Sequence, residues 1–161
     1  MFKNLHVYGL AITAVNLLAS ILFSYFLTGN LTNNTDALNL VANVFSILSG
    51  FLLLVITMSG ENSSISNGLS ALDLAYQETR FTMRFHKYYV LFLLYIFTLA
   101  LIFIYYLLSK DKTIHGRVIV FIKDSIGYLI SFLTCFSFIQ STFIPLKIKE
   151  LFKEKRELGK K

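Results

Sequence analysis

Three histidines, His6, His86 and His115, and one cysteine, Cys135, are the side chains of this 161-residue chain best suited to nucleophilic, acid–base or metal chemistry. All three histidines stand at the ends of long apolar blocks, with His115 at the opposite end from the other two. They are therefore not expected to converge on one metal or one substrate. No G-x-S-x-G or HExxH motif occurs, and no apolar block holds a pair of aspartates. Cys135 lies inside an apolar block and reads as a small buried hydrophobe. An enzyme acting on lipid would need a nucleophile or an acid pair near the membrane face, and none is legible. The expectation is a protein that is not an enzyme and holds no cofactor and no metal.

The remaining candidates are uncharged polar residues inside the apolar blocks. The first block carries Gly9, Thr13, Asn16, Ser20 and Ser24 three or four residues apart, which is one face of a helix. The second repeats this with Asn39, Asn43, Ser46, Gly50 and Thr57, and the fourth with Asp124, Gly127, Ser131, Thr134 and Ser141. Ser137 and Gln140 lie beside the fourth row. In lipid, small residues let helices approach closely, and amides and hydroxyls find partners across the contact. Asn16, Ser20, Asn43, Ser46, Gly50, Ser131, Thr134 and Gln140 are accordingly read as helix-packing residues, or as the lining of a pore if several subunits surround one. The third block has only Thr98 and tyrosines. It is expected to be the span most exposed to lipid or to a neighbouring subunit.

The elements that must position these residues follow from composition. Hydrophobic residues make up 55% of the chain and charged residues only 15%, too few for an ordinary soluble domain. Four uncharged blocks, 7–27, 38–58, 88–108 and 125–146, are each long enough to cross a bilayer as a helix. The fourth has a possible earlier start at Val118. The first block is read as an uncleaved span, because no A-x-A site follows it. The fold class is an all-α integral membrane protein: one domain of four transmembrane helices, with a cytoplasmic helical extension of the third and a basic C-terminal tail helix.

Between the spans lie a loop at 28–37, a hydrophilic link at 59–87 and a tail at 147–161. In the link, Ser70 and Asp73 form a capping pattern that starts a helix, and this helix continues without a break into the third span. Ile65, Leu69, Leu72, Tyr76 and Met83 make an apolar seam along it. Eleven Lys and Arg residues fall on the side of the link and both termini, against four on the other side. The positive-inside rule then puts both termini in the cytoplasm, and the residue bias points to a bacterial inner membrane. The formal charge of +6 is accounted for by this asymmetry, so nucleic-acid binding is not expected.

Arg80, Arg84, Lys87, Lys149, Lys153 and Arg156 are expected to meet anionic lipid headgroups or an acidic partner. Leu69, Leu72 and Tyr76 favour contact with a cytoplasmic protein, since lipid attraction alone does not require an apolar seam. In outline the chain resembles small four-span subunits of bacterial systems, such as membrane components of anti-phage defence and colicin immunity proteins. The resemblance is one of architecture and rests on no motif. The expected function is a homo-oligomeric membrane sensor or anchor that docks a cytoplasmic partner. A pore or membrane-permeabilising effector is the alternative, and a bacteriocin-immunity role a further one.

Overall fold

The structure, a computed structural model, describes the backbone at residues 2–60, 71–110, 117–145 and 149, with side chains from residue 11 onward within those stretches except 58–60, 71–81, 83 and 84. The described residues form helices and turns, with no strand. The helices are α1 (Phe2–Thr32), α2 (Thr35–Gly60), α3 (Ala71–Lys110) and α4 (Arg117–Ser141). Each contains a stretch long and apolar enough to cross a membrane: Ala11–Thr32, Thr35–Thr57, Phe85–Lys110 and Arg117–Thr142. Large apolar side chains stand fully open on them, Ile47 at 72% exposure and Phe121 at 73%. Such surfaces suit hydrocarbon and not water.

The loop expected at 28–37 shrinks to Asn33 and Asn34 between two helices. The polar run stays helical because its own side chains close the ladder. Thr28 Oγ1 donates to the Ser24 carbonyl, Thr32 Oγ1 donates to the Thr28 carbonyl at 2.8 Å, and Asn33 N–H donates to the Gly29 carbonyl at 3.1 Å. Asp36 in the first turn of α2 complements that helix's positive end. The fourth helix begins at Arg117, eight residues before Ser125, and stops at Ser141. Pro145 explains the stop, since its ring meets the carbonyl four residues earlier and it has no N–H to donate. The tail expected to be a basic helix lies outside the described residues, apart from the exposed Lys149.

Two compact units divide the chain, Met1–Thr35 with Asp111–Lys161, and Asp36–Lys110. In the first, α1 and α4 run antiparallel: Asn16 Nδ2 donates to the Phe136 carbonyl at 3.3 Å, and Ser24 Oγ donates to the Tyr128 carbonyl at 2.9 Å. The register is constant, each step forward on α1 matching a step back on α4. Asn16, Ser20, Ser24 and Thr28, four residues apart, are the buried row of α1. Gly127, Ile130, Ser131, Leu133, Thr134 and Ser137 are buried on α4. Small residues at this spacing let two backbones come close in lipid.

The second unit is built differently. On α3 the buried residues include Tyr88, Leu91, Tyr95, Thr98, Ile102 and Tyr105, alternately three and four residues apart. On α2 they include Leu38, Val41, Phe45, Ser49, Leu52 and Val55, likewise three or four residues apart. This is the spacing of a left-handed helix pair with side chains of one helix seated between those of the other. Phe45 and Tyr95, both fully buried, stack at a tilt with ring centroids 4.9 Å apart. Tyr106 Oη donates to Asn39 Oδ1 at 3.0 Å and fixes the same antiparallel register. Tyr106→Phe removes the bond to Asn39, and unfolding in lipid is expected to become easier by about 0.6 kcal/mol or more.

The third span is therefore not the most exposed one. A third, 33%, of an 18-residue apolar stretch within it is buried, the largest such share among the four. Large aromatic side chains hold helices together by dispersion as small ones do by close approach, and the tyrosines of α3 act in that way.

Candidate functional site

The predicted polar residues divide sharply between the two units. Asn16 and Ser20 of α1 are sealed, at 1% and 0% exposure, and so are Ser131 and Thr134 of α4. Gln140 is half-buried. By contrast Asn43, Ser46 and Gly50 of α2 are exposed, because the opposite face of that helix carries the Phe45 row. Open space lies before Gly50. The structure thus brings together the polar rows of the first and fourth spans, and the α2 row stands apart from α3. Because Asn43 touches no buried seam, Asn43→Leu is expected to change thermal stability by no more than about 0.5 kcal/mol.

The α1–α4 seam is a polar interior made of few and small groups. Ser20 Oγ donates to its own helix at the Asn16 carbonyl, 2.8 Å away, and lies 3.4 Å from Asn16 Oδ1. Asn16 therefore accepts along its own helix and donates across to α4, which orients the amide. At the Asn16 end a cleft of ≈ 280 Å³ is lined by Ala11, Val15, Asn16, Ala19, Ile139 and Phe143. The lining is otherwise apolar, and Asn16 is its one polar residue. No Asp, Glu, Lys or Arg occurs between Asn16 and Thr28, or between Gly127 and Ser137.

The residues expected to meet a partner or headgroups are placed in part. Leu69 and, in the tail, Lys153 and Arg156 lie outside the described residues. Leu72, Tyr76, Arg80 and Arg84 belong to the continuous helix α3, and Lys87 is exposed on it, as is His86. Lys149 is exposed. Cys135 is a free, half-buried thiol within α4. Among the described residues no group of three His, Cys, Asp or Glu side chains is placed to hold a metal ion.

No family model, curated protein or solved structure matches the chain.

The 3–4 row of α3 was missed by sequence reasoning that ranked residues by polarity. Leu91 and Ile102 do not differ in hydropathy from their neighbours, and it is the 3–4 spacing they share with Tyr88, Tyr95, Thr98 and Tyr105 that singles the row out. The matching row on α2 carries the same signal.

Proposed function

We propose that the chain is a non-enzymatic membrane protein that assembles with copies of itself and docks a cytoplasmic protein, passing a change between membrane and partner. The observation that carries this reading is the continuity of α3. Its 40 residues exceed the 26-residue apolar stretch Phe85–Lys110 by fourteen, all at its N-terminal end. Those fourteen residues extend the rod by roughly 21 Å beyond the hydrocarbon. A rigid rod converts a force or a binding event at its tip into rotation or displacement of the buried Tyr88–Tyr105 row. The antiparallel pairing inside each unit supports an even number of crossings and termini on one side. The eleven-to-four distribution of Lys and Arg supports that side being the cytoplasmic one.

A reporter fused after Lys161 is expected to be active only inside the cell, and activity confined to the exterior refutes the orientation. Replacing Leu69, Leu72 and Tyr76 by Asp is expected to abolish co-purification of a soluble protein. A helix breaker at the junction gives the sharper test. Arg84→Pro costs the helix about 3 kcal/mol locally and should uncouple the extension from the span. Membrane insertion is expected to be retained while any effect of the partner on the membrane domain disappears. Full coupling in Arg84→Pro contradicts the rod.

A further inference from the structure

Ser131, Thr134 and Ser137 stand three residues apart on the buried face of α4, at 0%, 4% and 0% exposure. Their hydroxyls are out of reach of water and have no hydrogen-bond partner among the described residues. Other serine and threonine hydroxyls among the described residues find a carbonyl, Ser24 across the seam and most others on their own helix. Thr98 donates to the Leu94 carbonyl at 2.8 Å, Ser125 to Phe121 at 2.8 Å and Ser141 to Ser137 at 2.6 Å. Three successive unpaired hydroxyls set this face apart. A sealed polar group without a partner destabilises the packing that seals it, whereas alanine would fill these positions without that penalty. Close packing alone does not account for them.

Within the same unit, α1 buries Asn16, Ser20, Ser24 and Thr28, a row roughly 18 Å long. The constant register sets the two rows along one seam. One end lies beside the cleft at Asn16, and at the other the register sets the exposed Asp124 level with Thr28. No charge lies between, so nothing in the seam would trap an ion.

We propose that the α1–α4 seam is the closed, dry form of a water path that carries protons across the bilayer. Parting of the two helices admits a single file of water, which satisfies the hydroxyls of Ser131, Thr134 and Ser137. Each water or hydroxyl then accepts a proton from one neighbour and donates its own to the next. One proton enters as another leaves, and no bond to the protein is retained. Dry constrictions of this kind gate by wetting. Sodium and potassium are excluded because two helices supply no ring of oxygen ligands. This activity is independent of the docking role above.

The test uses the full chain in liposomes under an imposed membrane potential, with proton flux read from a trapped pH dye and sodium and potassium fluxes read in parallel. Wild type is expected to pass protons well above protein-free liposomes and to pass neither cation. Combining Ser131→Ala, Thr134→Val and Ser137→Ala removes hydrogen bonds made only in the wetted state, so proton flux falls roughly tenfold or more. The melting temperature of that variant rises, because three unpaired donors leave the closed seam, and this also shows that it folds. The proposal is overturned by wild-type proton flux at the protein-free level, by equal flux in the triple variant, by a lowered melting temperature, or by sodium or potassium flux matching that of protons.

Discussion

Tyr95→Ala is expected to destabilise the α2–α3 pair by on the order of 2–3 kcal/mol, measured by reversible unfolding in bicelles. Tyr95 is the largest fully buried side chain among the described residues and packs on Phe45, also at 0% exposure. The effect arises almost wholly from the cavity. In water, truncation also loses the transfer of apolar surface out of solvent, but lipid tails are as apolar as the ring itself. What remains is the loss of contacts that cannot re-form across the gap. Tyr95→Phe keeps the ring and should lose far less, no more than the roughly 0.6–2 kcal/mol of a hydrogen bond in lipid. A loss as large in Tyr95→Phe as in Tyr95→Ala would mean that the hydroxyl, and not the ring, holds the pair.

The second large effect belongs to the other unit and has the opposite sign of volume. Ser20→Leu places a branched side chain where α1 lies sealed against α4. Overfilling a close contact costs about 1–3 kcal/mol. Here it also draws apart the groups that make the Asn16–Phe136 and Ser24–Tyr128 hydrogen bonds. Ser20→Ala removes only a bond to its own helix and is expected to be nearly neutral. The two variants are compared by the denaturing detergent needed to separate the helices. A neutral Ser20→Leu would show that the helices do not approach closely at this point.

Helix existence, type and apolarity were legible from the runs of uncharged residues, because backbone groups in hydrocarbon must be satisfied within the segment. The row Asn16, Ser20, Ser24 was legible too, as small polar residues every fourth position. The pairing was not. The rows on α1, α2 and α4 look alike in sequence, and only the competition for faces separates them. On α2 the Leu38, Val41 and Phe45 side wins, since it meets the tyrosines of α3 and buries large rings, leaving Asn43, Ser46 and Gly50 outside. Loop 28–37 failed for a related reason. Composition marks TGNLTNNTDA as a loop, but Thr28 and Thr32 satisfy carbonyls one turn back and carry α1 on to Thr32.

Thiol cross-linking inside the membrane probes the pairing of the helices without reference to any activity. In a Cys135→Ser background, Ser20→Cys with Ser131→Cys should join within one chain on treatment with a short bifunctional thiol reagent. Phe45→Cys with Tyr95→Cys should do the same. Asn43→Cys with Tyr95→Cys, on opposite sides of α2, should stay unlinked. Failure of the 20–131 pair to join, or joining of the 43–95 pair in its place, would mean that the seams described here are not those of the folded protein.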